Sequence, residues 1–336
     1  MSTIKDVAAR AGVSFTTVSH VLNGTRRVSD QARVRVEQAV AEMGYAPSAV
    51  ARALKTSETF VFGVLVPNII NPFFAELTRG IEDRCQQTDY SVFLCNSDDE
   101  PERQKHYLQT LLERRVDGLL LAAAADQDEP LVKRLASASV PTVVVERRIP
   151  GLNADLVRVD HDTGARIAAG HLVSLGHRAI ACLSGPSRFE VSRERTAGWR
   201  AALHEAGVAL KDEWMFEGDF SASAGYEMAH GLLKRGEVTA ILAGNDMMAI
   251  GVLRAAAELG VSVPGELSVI GFDGIDLGGY VYPALTSVGY PIRELGEMAA
   301  SVLLERLANR LGERREVILP PRLIERASTA PVRKVG

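Results

Sequence analysis

Three cysteines in 336 residues, at positions 85, 95 and 182, are too few and too oddly numbered for a disulfide framework. They show no metal-ligand or redox spacing and read as buried reduced thiols. No apolar run is long enough to cross a bilayer. The first residues carry charges at Lys5, Asp6 and Arg10, where a signal peptide would be uninterruptedly apolar. A cytoplasmic chain with no membrane partner is the expectation. Also absent are a P-loop, a GxGxxG opening a helix after a strand, a GxSxG elbow and an HExxH pair. His171 and His177 read as a surface and a helix-end residue. No catalytic residue, no metal site and no cofactor is expected, and the chain does not read as an enzyme.

What is present is an ordinary globular composition, 46% hydrophobic and 24% charged, long enough for two or three domains. Its charge is unevenly spread. Residues 1–57 carry eight Lys/Arg against four Asp/Glu, a net of +4, so the remainder carries −8 of the overall −4. A basic head on an acidic body fits a nucleic-acid contact confined to one end. The excess is modest, so two copies on a palindromic site would serve better than one.

The head reads as helices from local signals alone. Ile4, Val7, Ala8 and Ala11 lie at helical spacing, and Thr3 with Asp6 makes a capping-box start. Gly12 can end that helix in the left-handed conformation, and Ser14 can cap the next. The second helix would turn Val18, Val21 and Leu22 inward. Its other face, Phe15, Thr16, Thr17, Ser19, His20 and Asn23, is compact, neutral and hydrogen-bonding. Such side chains suit a surface pressed against base edges and phosphates. A third helix starts at Ser29, offers Val34, Val36, Ala39, Val40 and Met43 for packing, and stops at Gly44. Ser48 can cap a further helix of about two turns, too short to stand alone in water.

The strings IKDVAARAGVS, TTVSHVLN and VSDQARVRVEQAVAEMGYAPSAVARALK resemble the DNA-binding headpiece of the lactose-repressor (LacI/GalR) family, especially its purine- and ribose-repressor branches. The likeness runs through headpiece and hinge. It implies base-reading positions at Phe15, Thr16 and His20, with Thr17 and Asn23 on the same face. It also implies a hinge in which Leu54 wedges into a minor-groove step, flanked by Arg52 and Lys55.

Beyond residue 57 apolar strands alternate with amphipathic helices. The strands are expected at 60–66, 91–94, 118–122, 142–145, 180–183, 240–243 and 268–271. Helices are expected at 73–88, 102–114, 161–176, 193–206, 223–235, 246–260 and 292–311. Strand–helix repeats imply parallel sheets covered on both faces, with ligands at the carboxyl ends of the strands. Polar groups recur at those ends: Asn71 before Phe73 and Phe74, Asp160, Asn245 with Asp246, and Asp273.

This body also resembles the family, in NPFFAELTRGIE, LGHRAIACLSGP, RERTAGWRAAL, GNDMMAIGVLRAAAELG and VPGELSVIGFDGID. The implied fold is an all-α helix-turn-helix headpiece plus an α/β periplasmic-binding-protein-like effector domain of two doubly wound parallel-sheet lobes. The headpiece would span 1–46, the hinge 47–57 and the effector domain 58–330. Its N-lobe would take about 58–159 and 291–320, and its C-lobe about 160–290 and 321–330.

Sugars need aromatic faces for their C–H side and paired hydrogen bonds for their hydroxyls. Phe73, Phe74 and Phe220 can supply the first; Arg195, Asn245 and Asp273 match the family's ligand-contacting positions, and Asp160 a lobe-interface position. An ion pair of Arg195 with Glu190 or Glu194 is the alternative reading of that arginine. Two departures bear on the ligand. Where purine-sensing relatives place Arg and Thr, this chain has Phe189 and Val191, which cannot donate to a purine. Tyr290 stands where the family usually has Gln. A dimeric, ligand-responsive repressor of a sugar uptake or catabolic operon is therefore expected, acting at the nucleoid on double-stranded operator DNA. Its effector would be a monosaccharide, ribose foremost. The alternatives are a purine or another non-sugar metabolite, and a sugar-binding protein without DNA activity. No leucine heptads announce a tetramerising coiled coil.

Overall fold

The computed structural model describes residues 2–24, 26–46, 58–122 and 129–332, without the side chains of 129–131. The chain divides into two compact units, residues 1–59 and 60–336. Helices and strands are numbered here in chain order.

In the first unit, α1 (Ile4–Ala11) begins on a reciprocal cap. The Thr3 hydroxyl accepts from the Asp6 amide at 3.3 Å, and the Asp6 carboxylate accepts from the Thr3 amide at 2.8 Å. Gly12, at φ +61°, ends it. Ser14 caps α2 (Phe15–Asn23) and Ser29 caps α3 (Asp30–Met43), which stops at Gly44. Val7, Ala8, Ala11, Val18, Val36 and Ala39 form the small buried core. Val34 is not part of it: the side chain is 50% exposed. Two residues along a helix turn the direction by about 200°, so Val34 cannot share a face with Val36.

The second unit contains two six-stranded sheets. The first joins β1 (Val61–Val66), β2 (Ser91–Asn96), β3 (Gly118–Leu121), β4 (Thr142–Val145), β5 (Asp155–Val159) and β11 (Glu316–Leu319) in the order β11-β5-β4-β3-β1-β2, all parallel. Its helices are α4 (Pro72–Gln86), α5 (Pro101–Glu113), α6 (Glu129–Ala138) and α11 (Ile292–Ala308). Helices α4 and α11 touch backbone to backbone: a Cβ at Gly80 would lie 2.0 Å from the Arg293 carbonyl oxygen, and one at Gly296 would lie 2.2 Å from that of Leu77.

The second sheet joins β6 (Ile180–Ser184), β7 (Met215–Glu217), β8 (Ala240–Ala243), β9 (Ser268–Asp273), β10 (Thr286–Gly289) and β12 (Arg322–Ile324) in the order β12-β10-β9-β8-β6-β7. Helices α7 (His161–Ser174), α8 (Glu190–Glu205), α9 (Ala222–Leu233) and α10 (Asp246–Glu258) accompany it. This sheet is not wholly parallel, because β12 runs antiparallel to β10. The chain passes between the lobes three times, after β5, β10 and β11.

Five strands and α6 go beyond those expected from hydropathy. Strand β5 is hidden by its charges, since Asp155 and Arg158 are both buried within it. The Arg306 guanidinium satisfies Asp155 at 2.7 and 2.8 Å, which permits an acid inside a parallel sheet. No helix among the described residues is long and apolar enough to cross a membrane. All three cysteines are free thiols, although Cys95 is only half-buried. Burial pushes Cys85 up to about 11 and Cys182 up to about 12.

Candidate functional site

Helix α2 presents the polar face read from the sequence, but its residues are not equally open. Phe15 is 57% exposed and Thr16 is exposed beside it. Thr17 is engaged within the helix start: its amide donates to the Ser14 hydroxyl at 3.1 Å, and the two hydroxyls lie 2.9 Å apart. The Asn23 amide donates back to the Ser19 carbonyl at 2.7 Å. His20 is half-buried. Among the described residues Lys5, Arg26, Arg27, Arg33 and Arg35 are exposed and positively charged, whereas Arg10 is paired with Glu42. Arg52, Leu54 and Lys55 lie outside the described residues.

In the second unit the carboxyl ends of strands from both sheets surround a cavity of about 300 Å³. This is where an open α/β sheet places its ligands. Phe73, Phe74, Arg195, Phe220, Asn245, Asp273 and Tyr290 all line it. Asp160 does not. Its carboxylate caps α7 instead, accepting from the Thr163 amide at 3.0 Å and the Thr163 hydroxyl at 2.8 Å. An acid at the start of a helix is as readily a cap as a ligand contact, and here the cap takes both oxygens.

The apolar wall is fixed by packing. The rings of Phe73 and Phe74 meet edge to face at 4.8 Å, and Phe73 meets Tyr290 edge-on at 6.2 Å. Phe220, at φ +68°, lays its ring against the turn after β6, where a Cβ on Gly185 would lie 2.0 Å from the ring. Phe189 is held between two guanidinium groups, Arg147 at 4.0 Å and Arg188 at 4.5 Å from its centroid. Arg147 comes from the first lobe and also pairs with Asp99 at 2.7 Å.

The polar wall is a chain of buried groups. Arg195 donates to Asp273 at 3.2 Å, to the Gly244 carbonyl, and to His161 Nδ1 at 3.4 Å, with its guanidinium 3.8 Å from the Phe272 ring centroid. His161 Nε2 in turn meets Glu146 Oε2, which belongs to the other lobe. Burial lowers the His161 pKa, although Glu146 opposes the shift. Asn245 caps α10 through the Met248 amide at 2.9 Å and donates to the Phe220 carbonyl at 3.0 Å. The alternative partners for Arg195 go elsewhere: Arg158, reaching across from β5, binds Glu194 and lies 4.0 Å from Glu190.

Burial dominates the titration of this wall. It raises Asp273 to about 7, with Glu146 adding to the rise and Arg195 opposing it. Burial and then Asp273 raise Asp246 to about 8. Asp246 lies behind the cavity, accepting from the Ile275 amide at 2.8 Å and the Ser287 hydroxyl at 2.5 Å. It therefore fixes the loop after Asp273. His177 is a helix-end residue, its amide donating to the Leu172 carbonyl at 3.1 Å just past α7, and its ring is buried, with nitrogens 2.9 Å from Thr239 and Ser268. Glu146, Arg147 and His161 were not singled out by sequence reasoning. Glu146 was within reach of it, since it directly follows a four-residue apolar strand, the position that marked Asp273.

Phe189 and Val191 line the cavity without offering a hydrogen-bond donor. Residues 3–48 match the lacI family of bacterial regulatory proteins, and residues 169–329 match the periplasmic binding protein-like domain. Among similar proteins is the HTH-type transcriptional repressor PurR of Photobacterium profundum, 41% identical over 98% of both chains. The ribose operon repressor of Escherichia coli K12 is 38% identical over 98% of this chain and 100% of its own. A crystal structure of the lac repressor dimer bound to operator and the anti-inducer ONPF aligns with a TM-score of 0.87 and 31% identity, over 98% of this chain and 99% of that one.

Proposed function

The chain belongs to the lacI family of bacterial regulatory proteins, and from that premise we propose that its effector is a pentose, ribose foremost. It is a ligand-responsive transcriptional repressor that binds operator DNA as a dimer. In the proposed division of labour residues 1–46 read the half-site, 47–57 form the hinge, and 58–330 sense the ligand and pair the protomers. Phe15, Thr16 and His20 are the base readers, and Arg52, Leu54 and Lys55 are the hinge contacts. Ligand-driven closure of the lobes shifts the equilibrium between hinge states, and the coupling acts in both directions.

One observation supports the sugar over the purine. The cavity sets aromatic faces (Phe73, Phe74, Phe220) against three buried hydrogen-bonding side chains, Arg195, Asp273 and Asn245, while Phe189 and Val191 provide nothing for a purine edge. The purine reading draws on the 41% identical PurR relative. Calorimetric titration of the full chain with ribose, other monosaccharides, polyols, hypoxanthine and guanine separates the two. Ribose is expected to bind and both purines to fail. Binding of either purine in preference to every sugar reverses the assignment.

A further inference from the structure

Four charged side chains meet across the joint between the lobes, and none of them lines the cavity. The first lobe presents Arg148, just past β4, and Arg158, near the end of the neighbouring strand β5. The second lobe answers with the opening turns of α8. Arg158 hydrogen-bonds Glu194 and lies 4.0 Å from Glu190, and Arg148 lies 3.9 Å from Glu190. Within its own lobe Arg158 reaches the Val159 carbonyl at 3.2 Å, and its side chain is only 8% exposed. A guanidinium so placed depends on the acids opposite, because a nearly buried charge is costly to leave unpaired. Glu190 is well seated to serve it, since negative charge is favoured in the first turn of a helix.

Helix α8 carries two adjacent rows at four-residue spacing. Glu190 and Glu194 take the arginines of the first lobe, while Val191 and Arg195 line the cavity. One rigid helix therefore feels both the ion pairs and the ligand. The opposite flank of the joint is built differently. There the lobes meet through two acidic residues, Glu76 of α4 accepting from the Asp276 amide at 3.4 Å. We propose that Arg148 and Arg158, with Glu190 and Glu194, form an electrostatic latch that holds the lobes together before any effector arrives. The ligand-free unit is closed at low salt and opens as ionic strength rises, so salt tunes the response at the effector unit as well as at the DNA. This rests on the lobe closure proposed above and assigns the contacts that set its resting position.

The experiment measures the distance between the lobes in the ligand-free full chain by double electron–electron resonance. Spin labels are placed at two exposed positions, Lys105→Cys in α5 and Lys234→Cys after α9, with Cys95→Ser. Labelled chains are diluted into an excess of unlabelled chain, so that each dimer reports one protomer. Salt is raised from about 0.01 M to about 1 M, over which the Debye length falls from about 30 Å to about 3 Å. Wild type is expected to show a short distance at low salt and a longer, broader one at high salt. The double variant Glu190→Gln with Glu194→Gln should show the long distance at both, its closed-to-open ratio at low salt lowered roughly tenfold. An ion pair that merely staples α8 in place would leave the distance unmoved. Identical distributions in wild type and variant, or no response of wild type to salt, overturn the latch. D-ribose added to the variant should bring back the short distance. If it does not, while wild type still opens with salt, the pentose reading fails and the latch stands.

Discussion

The two compact units solve opposite problems. The first exposes polar side chains on a scaffold set by neighbours in sequence: Thr3 with Asp6, Ser14 with Thr17, and glycines at 12 and 44. The second buries charged side chains, and each is held by residues far away in the chain. Glu146, His161, Arg195 and Asp273 form one connected series drawn from four separate elements. A reading surface has to meet a partner that brings its own hydrogen bonds, so local caps suffice. A sensing cavity has to stay polar without water, so every group needs a distant partner.

The sharpest test of that contrast is Asp273→Ala. It removes the carboxylate opposite Arg195 and leaves a buried guanidinium short of its partner, so ribose affinity should fall roughly a hundredfold or more. Operator binding by the ligand-free variant, measured by fluorescence anisotropy, should not change. A comparable loss of operator affinity would mean that the two units do not function separately.

Val18→Ala probes the other side. Val18 is completely buried in a core of only a few residues, and its truncation should cost about 2 kcal/mol. Calorimetry should show the headpiece transition moving down while ribose affinity stays constant.

A third effect comes from pH. Asp246 and Asp273 titrate above the ordinary carboxylate value of 3.8, at about 8 and about 7. The folded chain therefore keeps protons that the unfolded chain has released. Their contribution to stability is complete below about pH 4 and is lost as pH rises through about 7 to 8. Within that window each group contributes a slope of roughly 1.4 kcal/mol per pH unit. Urea melts of Asp246→Asn should show a flatter decline than wild type toward alkaline pH, whatever the variant's absolute stability. Identical slopes would remove Asp246 from the account.

The smallest effect is Thr3→Ala, which deletes one half of the reciprocal cap. It should lower headpiece stability by about 1 kcal/mol, read as a modest fall in the melting temperature of that transition alone.

Legibility in the sequence followed the same division. The caps, the helix ends and the polar face of α2 could be read because their causes lie within four residues. Val34 is the exception, an apolar residue with no inward place on its helix. In the effector unit the strong apolar strands and most helices were legible. Strand β5 was not, because Asp155 is compensated by Arg306, which no local window contains. The aromatic residues of the cavity, with Arg195, Asn245 and Asp273, were reachable through family likeness and strand-end position. Asp160, matched to a lobe-interface position, lies outside the cavity lining and caps α7, because capping and contacting demand the same side chain. Glu146 and His161 matter through their partners across the lobes, and such pairings leave no periodic trace.

The threading of the chain carries one more consequence, for the order in which the protein is made. The first lobe needs β11 beside β5 and α11 against α4, yet residues 292–319 emerge only after every other strand of the second lobe except β12. During synthesis the first lobe therefore waits as an open sheet edge while its neighbour assembles. The lobe begun first is completed nearly last, and a ribosome that stalls before residue 292 releases a chain with neither lobe whole.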